Sequence, residues 1–157
     1  MIIRGRDIIS EFDSGLSFSG KNGTGRNSKI PWFRAFDKTR SPTAQEGFYL
    51  VYLFSSDGAS VFLSLNQGTT DMSGKAYVQK PQDELKRRVD NARKVLQLSE
   101  SKKFQFDIDL PTDCALARAY CLGNIVAFKY DRAKLPTHPM LQKDFIALAK
   151  LWKRLYK

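Results

Sequence analysis

The sequence has few of the residue types that build metal sites or disulfide frameworks. Its 157 residues include two cysteines, Cys114 and Cys121, and a single histidine, His138. A structural zinc ion takes about four Cys or His ligands, so the chain cannot supply such a site from its own side chains. We expect the cysteines to be buried or half-buried thiols, because an intracellular chain with a sizeable core needs no disulfide. No metal and no cofactor are predicted.

Long apolar runs are also missing. The longest is Phe48–Phe54, whereas a membrane-spanning helix needs roughly 18 to 20 apolar residues. Residues 1–7 lack the hydrophobic stretch and the small-residue cleavage site of a signal peptide. We therefore expect a protein of the cytoplasm.

Acidic residues are scarce relative to basic ones. The chain has 26 Lys and Arg against 16 Asp and Glu, which gives a formal charge of +10 and a pI near 9.7. This excess favours a polyanionic partner, with nucleic acid ahead of an anionic membrane. The length and a hydrophobic content of 42% fit a single domain spanning residues 1–157 better than two domains.

The pattern along the chain predicts an α+β fold, with a mixed, largely antiparallel sheet flanked by helices. Residues 30–36, 47–54 and 61–65 are rich in aromatic and β-branched residues and predict strands, with a hairpin turn at 55–58. Residues 66–80 are turn-rich. Residues 104–110 and 125–130 predict further strands, and 114–123 is either a short helix or an irregular crossover.

Two helices are predicted from apolar residues that recur every three or four positions. The first covers residues 81–98, with Pro81 at its first position. Its apolar positions are Leu85, Val89, Ala92, Leu96 and Val95. The second carries one apolar stripe that packs on the sheet. That stripe comprises Leu141, Phe145, Leu148, Trp152 and Leu155.

Residues 19–29 are rich in Gly, Asn, Ser and Lys and predict a loop. Between residues 17 and 41 there is one acid, Asp37, and six basic residues: Lys21, Arg26, Lys29, Arg34, Lys38 and Arg40. Such a cluster would neutralise phosphates and make DNA affinity sensitive to salt. An ordinary basic surface is the competing interpretation.

Catalytic motifs are weak by comparison. The glycine-rich segment at 20–25 has its lysine in the wrong place for a nucleotide-binding loop and no helix after it. His138 lies between two prolines just before a helix, where a turn or capping role is usual. A Mg²⁺-dependent nuclease would have to use Asp107 and Asp109, with a Glu-Ser-Lys triplet at 100–102. We expect a binding domain without catalytic residues of its own.

Several segments together resemble one known family. They are residues 16–18 before the glycine-rich loop, Ile30-Pro31-Trp32-Phe33, the strand at 47–53 and Leu63-Ser64-Leu65-Asn66-Gln67-Gly68, followed by residues 106–110, 116–118, 125–131 and 135–136. Their order and spacing resemble the MrcB-like N-terminal domain family, the DNA-binding domain of McrBC-type modification-dependent restriction enzymes. The resemblance runs from about residue 16 to the end of the sequence.

The resemblance implies a domain that grips duplex DNA and flips a modified cytosine, such as 5-methylcytosine, into an aromatic pocket. By this resemblance the pocket positions are Trp32, Tyr49 and Leu53. The loop at 19–29 matches the DNA-inserting loop of the family, and the residues expected at a groove and at phosphates are Lys21, Asn22, Arg26 and Lys29, supported by Lys38 and Arg40. The methylcytosine-reading relative has an aromatic wedge in this loop, whereas the present loop has none.

Other functions stay open at this stage. The domain could read an unmodified DNA sequence, act as a small nuclease through Asp107 and Asp109, or bind an acidic protein through its basic face. The resemblance also implies that DNA cleavage belongs to a partner domain or subunit, either a GTP- or ATP-driven translocase or an HNH-type nuclease.

Overall fold

Five antiparallel strands form the main sheet, in the order β1-β2-β3-β4-β7. The computed structural model describes residues 15–21, 30–111 and 113–157, with the backbone alone for Lys21. The strands are β1 (Ser17–Lys21), β2 (Trp32–Phe36), β3 (Phe48–Phe54), β4 (Ser60–Gln67), β5 (Thr70–Ser73), β6 (Ala76–Gln79) and β7 (Val126–Asp131). The helices are α1 (Gln82–Leu96), α2 (Ala115–Gly123) and α3 (His138–Arg154), with a 3₁₀ turn at Arg132–Lys134. The predicted α+β class is confirmed.

The predicted hairpin between β3 and β4 is confirmed. The two strands pair antiparallel from Phe48 with Gln67 to Phe54 with Val61. In the turn, the Asp57 carboxylate accepts hydrogen bonds from the Ser55 hydroxyl at 2.6 Å and from the Ala59 amide at 2.9 Å. This local bonding fixes the turn and therefore the register of the two strands.

One face of the sheet packs against α1 and α3. It presents Leu50, Leu63, Leu65, Val126 and Phe128 to the apolar stripes of these two helices. The helix positions predicted to be core are buried, namely Leu85, Val89, Ala92 and Leu96 of α1 and Phe145, Leu148 and Trp152 of α3. Val95 is instead 60% exposed. No helix in the three described ranges is long and apolar enough to cross a bilayer.

The opposite face of the sheet, called the α2 face here, packs against α2 and the segment 104–111. Successive side chains of a strand point to opposite faces, so Tyr49, Val51 and Leu53 of β3 all lie on this side. They join Phe62, Ala127, Ile108, Leu110, Ala117 and Tyr120 in a second buried cluster. The sheet is therefore covered on both faces.

Residues 104–110 do not form the strand that the sequence predicts. Only Gln105 pairs, with Ala127 of β7, through two backbone hydrogen bonds. Beyond it, the Phe106 carbonyl accepts from the Arg93 guanidinium at 2.7 Å and from the Asn124 amide at 2.8 Å. Because side chains satisfy this carbonyl, the segment stays irregular and still buries Ile108 and Leu110.

Two further predictions from loop composition are wrong. Residues 19–21 belong to β1, because Ser19, Gly20 and Lys21 pair with Arg34, Phe33 and Trp32 of β2, and pairing overrides the weak strand propensity of this composition. The turn-rich patch at 66–80 contains a two-stranded hairpin, β5–β6, in which Thr70 pairs with Gln79 and Ser73 with Ala76. Residues 114–123 resolve in favour of the helix α2.

Candidate nucleic-acid interface

Trp32 is the first residue of β2, and the loop predicted for residues 19–29 lies largely outside the described residues. Its backbone pairs with Lys21 of β1 on one side and with Leu53 of β3 on the other. Cross-strand partners hold their Cβ atoms about 5 Å apart, so the Trp32 and Leu53 side chains are neighbours on the α2 face. Trp32 is half-buried and packs against the cluster on this face. Part of its indole is therefore available to a ligand.

Leu53 and Tyr49 lie beneath the surface. Leu53 is 0% exposed and Tyr49 is 1% exposed, and four residues of strand, about 13 Å, separate their Cα atoms. The Tyr49 hydroxyl lies 3.1 Å from the Ala44 carbonyl oxygen and 3.0 Å from the Gln67 carbonyl oxygen. Burial raises the pKa of Tyr49 well above its ordinary value. The structure therefore brings Trp32 and Leu53 together, and it places Tyr49 further along the same face with its hydroxyl already bonded.

Helix α2 supplies the remaining wall of this cluster, which the sequence reasoning missed. Tyr120 is 5% exposed, and burial raises its pKa. Cys114, Leu116 and Cys121 pack half-buried against the same cluster. The sequence does contain a sign of this wall, because the apolar residues 116 and 120 share one side of a helix. That spacing is informative only if residues 114–123 form a helix, which the sequence alone did not decide.

Arg34 is the second residue that sequence reasoning did not place. It lies on the α2 face between Trp32 and Phe36 and is 5% exposed. Its Nε donates to the Ser19 hydroxyl at 3.0 Å, and its Nη1 donates to the Ser41 hydroxyl at 3.0 Å and to the Thr43 carbonyl at 2.9 Å. The guanidinium also lies 3.7 Å from the centre of the Phe36 ring. Arg34 thus ties β1 and the turn at 37–47 to the sheet.

No described carboxylate forms an ion pair with Arg34. Desolvation lowers the pKa of Arg34, and the nearby Tyr49 and Tyr120 oppose that shift. A buried charge without a counter-ion costs several kcal/mol unless hydrogen bonds satisfy it. The α2 face therefore has a positive interior beside its aromatic side chains, and that potential favours an electron-rich or anionic ligand.

The predicted DNA-contacting cations fall into two groups. Lys21 is the last residue of β1, next to Trp32, while Asn22, Arg26 and Lys29 lie outside the described residues. Lys38 and Arg40 lie in the turn after Phe36, at the other end of β2. The Arg40 guanidinium stacks 4.4 Å from the centre of the Tyr156 ring. Arg40 thus lies next to the end of α3, and both residues follow the end of β2 that is remote from Trp32.

Asp107 and Asp109 line a polar cleft of about 290 Å³. Asp57, Ser60 and Lys129 line the same cleft. Within the described residues, no group of three or more His, Cys, Asp or Glu side chains is placed to hold a metal ion. The cleft therefore gives no support to the alternative of a nuclease that uses Asp107 and Asp109.

The sequence of this chain matches one known protein family. The model of the MrcB-like N-terminal domain matches residues 7–157. The chain belongs to the MrcB-like N-terminal domain family. No curated protein and no solved structure matches it.

Membership of the MrcB-like N-terminal domain family supports a DNA-binding domain of the McrB type. The matched range covers β1, β2 and the residues between them, together with the strand that carries Tyr49 and Leu53. A DNA-binding role also agrees with the basic composition of the chain, since duplex DNA is a dense polyanion. N-terminal domains of McrB-type proteins are binding domains, which is consistent with a chain that is not itself catalytic.

Proposed function

We propose that this domain binds duplex DNA and reads a modified cytosine, such as 5-methylcytosine, after the base has been flipped out of the stack. The observation that carries the proposal is the position of Trp32, half-buried at the first position of β2 and directly opposite Leu53. A flipped base stacks on the accessible part of the Trp32 indole, with the buried Leu53 side chain beneath it and Tyr49 further along the same face. The domain is then the specificity module of a modification-dependent restriction system.

The free energy gained by stacking a flipped base is similar in size to the cost of extruding it. Extruding a base costs a few kcal/mol, and stacking on an aromatic ring returns roughly 1 to 3 kcal/mol. Burying one extra methyl group adds about 0.8 kcal/mol, which corresponds to a preference of about fourfold. Methyl burial against the accessible part of Trp32 thus gives a modest intrinsic selectivity. A larger preference requires the unmodified base to leave a gap or an unsatisfied polar group.

The residues between β1 and β2 supply the phosphate and groove contacts in this proposal. No acid lies between Lys21 and Lys29, so Lys21, Arg26 and Lys29 neutralise phosphates, and the Asn22 amide hydrogen-bonds at the groove. In the absence of an aromatic wedge, one of these polar or cationic side chains occupies the space that the extruded base leaves.

Cleavage is assigned to partners in this proposal. A GTP- or ATP-driven motor, of the kind that accompanies McrB-type domains, or an HNH-type nuclease acts after the domain has found its site. The domain contributes position and discrimination, and the partner contributes bond breaking.

The test is fluorescence-anisotropy titration of the chain with three matched duplexes that differ at one site: cytosine, 5-methylcytosine or 5-hydroxymethylcytosine. The parent chain should bind a modified duplex more tightly than the unmodified one. Trp32→Ala should remove this preference and leave the salt-sensitive background binding, because stacking is lost while the cations are retained. Trp32→Phe should keep part of the preference.

The matched control is Tyr77→Ala, which removes an aromatic ring that is 70% exposed on the β5–β6 hairpin. This variant should bind all three duplexes as the parent does. Equal affinities of the parent for the three duplexes would contradict modified-base reading and favour readout of an unmodified sequence. An unchanged preference in Trp32→Ala would remove Trp32 from the site.

A further inference from the structure

A buried network of polar side chains lies at the end of α2, between the helix and the sheet. It is formed by Ser64 and Asn66 of β4 together with Asn124, the residue that follows the helix. Ser64 and Asn66 are 0% exposed and Asn124 is 1% exposed. Polar groups buried to this degree need hydrogen bonds, and hydrogen bonds are directional, whereas apolar packing is not. The network therefore holds its members in one relative position.

The hydrogen bonds of this network join three parts of the chain. The Asn66 side-chain amide donates to the Tyr120 carbonyl at 3.1 Å and to the Ser64 hydroxyl at 3.0 Å. The Ser64 hydroxyl donates to the Asn124 side-chain oxygen at 2.7 Å, and the Asn124 amide donates to the Phe106 carbonyl at 2.8 Å. These bonds tie α2, and the irregular segment that precedes it, to the middle of the sheet.

Asn66 supplies a hydrogen bond that α2 cannot supply for itself. The last four carbonyl groups of a helix have no partner within it, and Tyr120 lies in the last turn of α2. The bond from Asn66 therefore fixes the end of the helix to β4. A helix of nine residues is too short to be stable alone in water, so the position of α2 depends on contacts of this kind.

The end of α2 also touches β4 directly, at Gly123. A Cβ atom at Gly123 would lie 2.5 Å from the Asn66 side-chain oxygen and 2.7 Å from the Thr69 methyl carbon. Both of these side chains are buried, and Asn66 is held by its hydrogen bonds, so neither can move aside easily. The separation between α2 and the sheet is thus set by a close contact as well as by a hydrogen bond.

The other end of the covering chain is fixed near the base-reading end of the sheet. The Ser56 hydroxyl, in the turn between β3 and β4, donates to the Pro111 carbonyl at 2.8 Å. Nine helical residues rise about 13 Å, which is also about the distance along β3 from Leu53 to Tyr49. Helix α2 is therefore long enough to cover the strand between the predicted pocket positions, and Asn66 anchors it at the Tyr49 end.

We propose that Asn66 is a positioning residue for base reading. Through the Tyr120 carbonyl it sets the separation between α2 and the sheet, and with it the width of the space beside Trp32 that receives the flipped base. This inference rests on the proposed function. An extra methyl group is favoured only where the walls fit it closely, because a gap forfeits contacts. Asn66 therefore affects the discrimination between bases, whereas the salt-sensitive binding to phosphates does not depend on it.

The first measurement is fluorescence-anisotropy titration of Asn66→Ala with the cytosine and 5-methylcytosine duplexes. A parent preference of about fourfold or more should fall below about twofold, because α2 loses its bond to β4. Affinity for the unmodified duplex should stay within about twofold of the parent, with the same salt dependence. Gly123→Ala should have the same effects by another route, since the added methyl group pushes the end of α2 away from β4.

The second measurement needs no DNA. Trp32 is half-buried in the cluster that α2 covers, so its fluorescence reports a displacement of the helix. The emission of Trp152 is obtained from a matching Trp32→Phe variant and subtracted. Asn66→Ala and Gly123→Ala should both shift the Trp32 emission to longer wavelength and increase its quenching by acrylamide.

The control is Leu148→Ala, which removes a buried side chain from α3 on the opposite face of the sheet. It should lower the urea midpoint but keep the base preference and the Trp32 emission of the parent. The inference requires both a lost preference and a shifted emission in the α2 variants. It is overturned if either is unchanged, or if Leu148→Ala has the same effects.

Urea unfolding shows whether each variant is folded, and Gly123→Ala decides by the same criteria if Asn66→Ala is not. A parent chain that binds the duplexes alike contradicts the proposed function. In that case the Trp32 emission still decides whether Asn66 positions α2, so the two failures are distinguishable.

Discussion

At the scale of single residues, Arg34 is the side chain on which the α2 face depends most. Its hydrogen bonds reach Ser19, Ser41 and Thr43, and hydrogen bonds to a charged group are each worth roughly 1.5 to 3 kcal/mol. Hydrogen bonds of this kind offset the desolvation cost of a buried charge. Removing the guanidinium would leave the acceptors of the turn at 37–47 without this partner.

Arg34→Ala should lower the free energy of unfolding by roughly 2 to 4 kcal/mol, because it leaves a cavity and unsatisfied carbonyl groups. Urea denaturation of the two proteins measures the difference. Arg87→Ala removes an exposed arginine of α1 and should stay within about 0.5 kcal/mol of the parent. Similar losses for both variants would show that the Arg34 hydrogen bonds do not hold the turn.

The burial of Arg34 could not be predicted from the sequence, because its acceptors lie in a turn whose path depends on the whole sheet. The position of Trp32 beside Leu53 could be predicted, since the family resemblance supplied both residues. The same resemblance gave no information on how deeply each side chain is buried. Leu53 and Tyr49 are buried because α2 covers them, and the sequence left α2 undecided between a helix and a crossover.

At the scale of elements, prediction succeeded where the local pattern alone decides the structure. The stripe of α3 and the Asp57-Gly58 turn are such patterns. The β5–β6 hairpin was missed because its strands are almost wholly exposed, so no alternation of apolar and polar residues marks them. At residues 104–110 a strand was predicted where none forms. Ile108 and Leu110 alternate with the exposed Asp107 and Asp109, but such alternation shows which side chains are buried and does not show that the backbone pairs with another strand.

Two glycines with nearly equal φ angles allow the steric contribution of packing in the turn at 37–47 to be measured as a difference in stability. Gly47 has φ +69° and a Cβ there would collide with the Arg40 carbonyl, whereas Gly74 has φ +63° and open space around it. Gly74→Ala should cost about 1 to 2 kcal/mol, which is the penalty of the left-handed conformation. Gly47→Ala should cost roughly 3 kcal/mol or more, because the collision adds to it.

Thermal or urea unfolding of both variants provides the comparison. The difference between them isolates the steric contribution, since the backbone strain is shared. Equal losses would mean that the turn moves away from β3 without cost.

At the scale of the whole molecule, five tyrosines link stability to alkaline pH. Desolvation raises the pKa of each of them: Tyr49, Tyr52, Tyr120, Tyr130 and Tyr156. For Tyr130, the charge of Asp144 adds to the effect. These phenols are neutral in the folded state over a range in which an unfolded tyrosine, with a pKa of about 10, ionises.

The folded state therefore binds more protons than the unfolded state above about pH 10, and stability falls as pH rises. Below that pH the contribution is fully present. Each tyrosine adds up to about 1.4 kcal/mol per pH unit to the decline until its folded pKa is reached.

Tyr120→Phe keeps the ring and removes one titrating group, so the stability of this variant should decline less steeply with pH, by about that amount. Urea unfolding of parent and variant at a series of pH values from about 8 to 11.5 measures both slopes. Parallel declines would mean that Tyr120 ionises as readily in the folded protein as in the unfolded one, and that the wall which α2 places against Trp32 and Tyr49 admits water.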